Sequence, residues 1–263
     1  ITCRDWSSDV CSSDLSINAL LAGEALEGHT VARLKGGDPF IFGRGGEEAE
    51  VLAANNIPFE VIPGVTSAIA VPAYAGIPLT HRGLTSTVAF ITGHEDPTKE
   101  KSDIDWQALC GIGTLVFLMG VKNLAQITDA LISRGKSPDT PAALIRRGTT
   151  PHQQSLTGTL GGIVEMARIN QFKPPAILVV GEVVGLRETL GWFDGKPLFG
   201  MGVVITRPER QVDDLARLLA AEGANPIAFP TIAIEPPAAW SDLDAALETL
   251  DTFDWLIFTS ANG

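Results

Sequence analysis

The sequence is short of the features that mark several large classes of protein. Three cysteines in 263 residues, with no Cys/His spacing of ligand type, exclude a disulfide scaffold and a zinc site. Long apolar runs are missing too. The longest, such as AILVV at 176–180 and TLVFLMG at 114–120, fall far below the ~20 residues that cross a bilayer as a helix. The first fifteen residues are polar, unlike a secretory signal. Positive charge is scarce: 19 Lys and Arg stand against 31 Asp and Glu, a net charge of −12. That balance argues against general affinity for nucleic acid or an anionic membrane. His29, His94 and His152 are scattered and read as structural or surface residues. What remains is 45% hydrophobic and 19% charged, which permits a sizeable core and excludes intrinsic disorder. The expectation is a cytoplasmic α/β protein.

The charge is unevenly shared. Residues 201–263 carry three basic and ten acidic side chains, a composition shift that predicts a second domain. WFDGKPLFG (192–200), with two glycines and a proline, reads as the connector. Residues 1–15 repeat a Ser-Ser-Asp unit without helix or strand period. They read as adapter sequence joined to a partial gene and are set apart from the fold. Beyond them, helices are expected at 16–28, 47–56, 66–76, 124–135 and 160–170, and strands at 30–38, 58–64, 86–94, 114–120, 142–149 and 176–184. Strands this apolar are covered on both faces, so the sheet is expected to be mainly parallel or mixed, with flanking helices. Residues 202–263 predict a βαβαβ unit. Its first helix places Val212, Leu215, Leu218 and Leu219 on one face, and FDWLIFTSANG forms its third strand. A three-stranded half leaves its faces poorly covered, so the chain is read as truncated at both ends.

Three loops carry the chemistry. In RLKGGDPFIFGRGGEE (33–48) a strand runs into a glycine-rich bend, where backbone can approach a ligand without an intervening Cβ. Ligands of open α/β sheets settle at the carboxyl ends of strands, which is where this loop belongs. Its spacing matches neither G-x-G-x-x-G nor a Walker P-loop, so a dinucleotide or ATP reading fails. The second loop, VIPGVTSAIA (61–70), puts small residues at a helix start, where the N–H groups of Thr66, Ser67 and Ala68 suit a carboxylate. A third, GIPLTHRGLTS (76–86), holds His81 and Arg82 just before a strand.

Together these strings, followed by FLMGV (117–121) and IRRGTTPHQQS (145–155), resemble the tetrapyrrole methylase family, and within it the uroporphyrinogen-III C-methyltransferases, over residues 16–195. The segment 202–263, through VITRPERQ, FPTIAIEP and DWLIFTSANG, resembles the start of uroporphyrinogen-III synthase, with 196–201 as linker. The resemblance implies a two-lobed α/β methylase followed by a partial flavodoxin-like unit. It also implies a homodimer that binds S-adenosylmethionine and methylates two pyrrole carbons of uroporphyrinogen III to give precorrin-2, on the way to sirohaem or cobalamin. By the same resemblance, Gly36, Gly37, Asp38 and Ile41 line the cofactor site, Thr66 and Ser67 hold the methionine carboxylate, and Met119 and Gly148 meet the nucleoside. The family's opening Gly-Pro-Gly loop and its acid/base aspartate and lysine belong to an N-terminal region that this sequence lacks. A catalytically silent remnant that only binds cofactor or tetrapyrrole is therefore the alternative, beside a methylase for another precorrin, diphthine or RNA. The 202–263 resemblance implies ring closure of hydroxymethylbilane, with Thr259–Gly263 as a ligand-facing loop.

The implied chemistry asks the protein mainly for alignment, which can supply about 7–11 kcal/mol. The substrate carries eight carboxylates. Arg44, Arg82, Arg146 and Arg147 stand on or near the three loops and offer guanidinium forks to them. Cys110 reads as a small buried hydrophobe. Bulky side chains at both Gly36 and Gly37 of a full-length relative are expected to abolish cofactor affinity by calorimetry; undiminished affinity would refute the cradle.

Overall fold

The computed structural model describes residues 10–93, 102–233, 235–236 and 238–258, with side-chain surroundings from residue 16 onward. His94 and the Thr259–Gly263 loop lie outside the described residues. In chain order the elements are α1 (Val10–Leu26), α2 (Gly45–Ala54), α3 (Ser67–Tyr74), β1 (Val88–Thr92), α4 (Trp106–Leu109), β2 (Thr114–Leu118), α5 (Leu124–Ile132) and β3 (Pro141–Arg146). After these come β4 (Gln154–Thr159), α6 (Ile163–Ile169), β5 (Ala176–Val180), α7 (Arg187–Leu190), β6 (Gly202–Ile205), α8 (Val212–Ala221), β7 (Asn225–Ala228) and α9 (Ser241–Glu248).

A five-stranded sheet in the order β1-β2-β5-β3-β4 forms the centre. It is mixed rather than mainly parallel. Only β1 and β2 run parallel, because β5 returns antiparallel between β2 and β3 and β4 folds back on β3. Every residue of β2 and β5 is buried. Successive side chains of a strand face opposite sides, so the same runs feed two cores. Leu115, Phe117, Leu144, Leu178 and Val180 meet Ile127 and Leu131 of α5 and Ile163 of α6. Val116, Leu118, Ala143, Ile145, Ile177 and Val179 meet Ala68 and Val71 of α3. Each fully buried aliphatic or phenyl side chain contributes about 1.5–3 kcal/mol of transfer free energy.

Four expectations need correction. Residues 30–38 and 58–64 form no strand among the described residues. Exposure alternates along 31–36 as on a pleated segment, but a strand exists only where a neighbour completes its ladder. α1 begins at Val10, inside the segment set apart by its composition. In the acidic segment β6, α8 and β7 form a parallel β-α-β unit, whereas 253–258 form no third strand, with Trp255 and Ile257 about four-fifths exposed. Finally, β4 was not expected at all: QSLTGT is polar and lies at the sheet edge.

The 192–200 segment is packed rather than loose. Tyr74 of α3 meets Trp192 and Phe193 at ring-centroid distances of 5.0 and 4.8 Å, and Phe193 meets Phe199 edge-on at 5.5 Å. Lys196 lies 5.0 Å above the Trp192 ring and donates to the Ala221 carbonyl at the end of α8. In the main core Cys110 is half-buried, its thiol donating to the Trp106 and Leu131 carbonyls. Phe117 is fully buried and stacks on Trp106 at 6.0 Å. Phe117→Ala is therefore expected to cost about 3–5 kcal/mol, read from the urea midpoint; a loss below about 1 kcal/mol would mean that this face of the sheet is not the core.

Candidate functional site

The glycine-rich bend is held from below by ions and from within by one carboxylate. Lys35 donates from Nζ to the Gly43 carbonyl at 2.6 Å and to Glu48 Oε1 at 2.7 Å, while Arg33 Nε reaches the same Oε1 at 3.1 Å. Two cations thus share one carboxylate at the mouth of α2 and close the loop between residues 35 and 43. Above them, Asp38 Oδ1 accepts the N–H groups of Phe40 and Ile41 at 2.8 and 3.0 Å, and Oδ2 accepts the Gly64 N–H at 3.1 Å. Those backbone donors, Gly64 first, hold the Asp38 carboxyl below the ordinary aspartate value.

Asp38 therefore joins the first loop to the second. The approach is close: a Cβ at Gly64 would lie 2.5 Å from the Gly37 carbonyl oxygen. Gly37 itself has φ +142°, a region that L side chains rarely adopt, and a Cβ built on Gly36 meets only open space. Beyond Gly64 the chain enters α3 through Thr66, a buried N-cap whose Oγ1 accepts from Ala68 N at 3.3 Å. The Thr66 hydroxyl is thus committed to capping, while Ser67 is exposed at the first turn. The far end of α3 is equally fixed. Its last carbonyls, which have no partner within a helix, accept from three separate side chains: Ala73 from Trp192, Tyr74 from Gln153 and Ala75 from Arg187.

Met119 and Gly148 stand just past the carboxyl ends of β2 and β3, on the same edge of the sheet with β5 between them, so the strands that carry them are two strand spacings, about 10 Å, apart. Both ends are bent sharply: Met119, Arg147 and Thr149 all take left-handed φ angles of 49–68°, conformations held only where the surroundings over-determine them. Gly148 is pressed onto α3, since a Cβ there would fall 2.5 Å from Val71 Cγ1.

The structure thus brings Gly37 beside Val65 and Thr66, ties Ile41 and Gly64 to the same Asp38 carboxylate, and sets Gly148 against Val71 of the helix that Thr66 caps. The arginines are less convergent. Arg44 pairs with Glu47 at 2.5 Å, which lowers the Glu47 carboxyl. Arg82 is exposed in the turn closed by the His81–Thr85 bridge, and Arg147 is exposed beside Gly148. Arg146 is half-buried, touching Gln154 at 3.4 Å, and its Nε is buried with no hydrogen-bond partner among the described residues. His29 bonds Glu24 at 3.0 Å on the surface, and His152 is exposed. A hollow of about 690 Å³ lies at the opposite end of the sheet, lined by Pro141, Thr159, Arg187 and Asp194; its position away from the glycine loops separates it from the candidate site.

Sequence reasoning missed Lys35, Glu48 and Gln153 as site-building residues. For the first two a signal existed: opposite charges bracketing a glycine run. Gln153 offered none, because a lone polar residue in a loop has no period.

Residues 13–164 match the family of tetrapyrrole (corrin/porphyrin) methylases, and residues 213–263 match uroporphyrinogen-III synthase HemD. The chain is 60% identical over 176 residues to the S-adenosyl-L-methionine-dependent uroporphyrinogen III methyltransferase of Methanosarcina barkeri, covering 66% of this chain and 69% of that protein. It is 45% identical over 248 residues to the porphyrin biosynthesis protein HemD of Ruminiclostridium josui, covering 94% of this chain and 49% of that one. With the uroporphyrinogen-III C-methyltransferase of Bacillus subtilis it shares 44% over 245 residues, 93% of this chain and 50% of the relative. The chain therefore spans about half the length of these last two. Among solved structures, uroporphyrin-III C-methyl transferase from Thermus thermophilus complexed with S-adenyl homocysteine superposes with a TM-score of 0.57 at 37% identity, over 65% of this chain and 74% of that one.

The lowered Asp38 value fixes the sign of a pH effect. The clamp on Gly64 is present above the unfolded aspartate value and is lost as the pH falls through the lower folded one. The Gly64 amide proton is expected to titrate by NMR with a midpoint below 3.8, and Asp38→Asn to remove that step. A midpoint at or above the ordinary value would refute the clamp.

Proposed function

Because this chain belongs to the tetrapyrrole (corrin/porphyrin) methylase family, we propose that it is the methyl-transferring part of an enzyme that converts uroporphyrinogen III to precorrin-2 with S-adenosylmethionine. The observation that carries this reading is the joint made by Asp38, which fastens a glycine loop with an open face at Gly36 to the N-terminus of α3.

The residues present suit that cofactor. In the exposed first turn of α3 the Ser67 N–H suits a carboxylate, whereas the Ala68 N–H expected beside it is taken by the Thr66 hydroxyl. The Gly36–Gly37 backbone leaves room for a bulky neighbour, and the exposed Met119 and the bend at Gly148 offer an apolar edge and backbone to a nucleoside. Asp38 acts in this reading as the clamp that sets the spacing of the two loops, and Thr66 as the cap that starts the helix. When bound, S-adenosylmethionine supplies a methyl group already activated by its sulfonium. The chain's own task is to align an electron-rich pyrrole carbon against it and to exclude water.

Arg82, Arg146 and Arg147 would meet the substrate's carboxylates; Arg44 would do so by exchanging Glu47 for a substrate carboxylate. The acidic balance of the chain makes this local supply of cations necessary. It also supports a small tetrapyrrole partner over nucleic acid, and no described helix is long and apolar enough to cross a membrane. We further read residues 16–195 as the methylase unit, 196–201 as the link and 202–263 as the start of a uroporphyrinogen-III synthase unit, working in the cytoplasm as a homodimer.

Calorimetry of this chain with S-adenosylhomocysteine is expected to show one saturable site. Arg82→Ala is expected to weaken binding of the tetrapyrrole about tenfold, one charge-assisted hydrogen bond, and to leave the nucleoside affinity unchanged. Absence of any nucleoside binding would overturn the cofactor reading, and equal losses for both ligands would overturn the role of Arg82.

A further inference from the structure

Gln153 is a polar side chain buried to 95%, and both ends of its amide are used on backbone. Oε1 accepts the Thr149 N–H at 3.0 Å and Nε2 donates to the Tyr74 carbonyl at 3.2 Å. The partners dictate the orientation: an N–H requires the amide oxygen and a carbonyl requires the amide nitrogen, so the group fits one way only. It stands at the end of a turn that is already tightly ordered. Thr150 Oγ1 donates to the Arg147 carbonyl at 2.7 Å, and Gln153 N donates to the Thr150 carbonyl at 2.9 Å. Within this turn Gly148, flanked by two residues in left-handed conformation, lies hard against Val71.

The other end of the same helix starts at the Thr66 cap, beside the Asp38 clamp. α3 has eight residues and is about 12 Å long. One rigid spacer therefore carries both halves of the candidate site, with Asp38 fastening the first loop near its start and Gln153 fastening the 147–150 bend to its end. On the reading of this site as a S-adenosylmethionine cradle, we propose that Gln153 is a positioning residue that sets the distance between the nucleoside-side bend and the carboxylate-side loop. It touches neither ligand nor reacting atoms and works through Gly148 and Thr149.

Two variants separate this role from a merely structural one. Gln153→Met keeps the volume and removes both hydrogen bonds. Gln153→Glu keeps the acceptor for Thr149 but sets a carboxylate oxygen against the Tyr74 carbonyl; protonation of that carboxyl restores the missing donor. Ile163→Val, in the core on the opposite face of the sheet, is the comparison for general loss of stability. Binding of S-adenosylhomocysteine is measured by calorimetry at pH 8 and pH 5.5, with thermal unfolding alongside. The unmodified protein, which carries the neighbouring Arg147 and His152, serves as reference at both pH values.

The expected result is affinity about tenfold weaker for Gln153→Met at both pH values. Gln153→Glu should be similarly weak at pH 8 and recover to within about threefold of the reference at pH 5.5. Ile163→Val should bind as the unmodified protein does, even where its melting temperature falls as far. If the unmodified protein binds and Gln153→Met binds equally well, the proposal fails while the cofactor reading stands. Equal weakening by Gln153→Met and Ile163→Val, or no recovery of Gln153→Glu at pH 5.5, also overturns it. No binding by the unmodified protein defeats the cofactor reading and this proposal together.

Discussion

One carboxylate governs the geometry of the candidate site. Asp38 spends one oxygen on its own loop and the other on Gly64, twenty-six positions further along the chain. Neither loop belongs to the five-stranded sheet, and neither is held by strand ladders. Their mutual position rests on this bridge, on the Lys35–Glu48 pair beneath it and on the absence of a side chain at Gly64. The second loop leads straight into α3, and α3 lies on the β2–β5 face of the sheet through Ala68 and Val71. The clamp thus converts a flexible pair of bends into an extension of the core.

The other end of α3 shows the same economy. A short helix has few internal hydrogen bonds and gains most of its order from packing. Here three side chains from three different places in the chain cap its final carbonyls, so helix ends that would otherwise fray are tied to β4's approach, to α7 and to the aromatic segment after it. For a chain with a net charge of −12, such fixation matters to anion recognition. Positive charge is too scarce to act as a field and must be delivered at fixed points.

The sheet was legible where chemistry demanded burial on both faces. TLVFL, AALIR and AILVV have no polar face, so β2, β3 and β5 followed from composition. β4 did not, because an edge strand of Ser, Thr, Gly and Gln looks like a loop until its partner is known. The reverse error arose at 30–38 and 58–64, where a strand-like pattern has no described neighbour to pair with. The three site loops were legible as strings, and Thr66 as a cap came from local rules alone. The use of each side chain was not. Asp38 reads from sequence as a ligand contact, yet its oxygens face the protein's own amides; Gln153 is invisible until Tyr74 and Thr149 are seen beside it.

The strand order has a consequence for how the chain comes off the ribosome. β5 fills the slot between β2 and β3, but it is the last of the five to be made. Until residues 176–180 emerge, β2 and β3 have no ladder to share, and two open edges, TLVFL and PAALIR, face the nascent-chain environment. The central sheet can close only after most of its sequence has been synthesised, as a single late event that inserts a strand into a waiting gap.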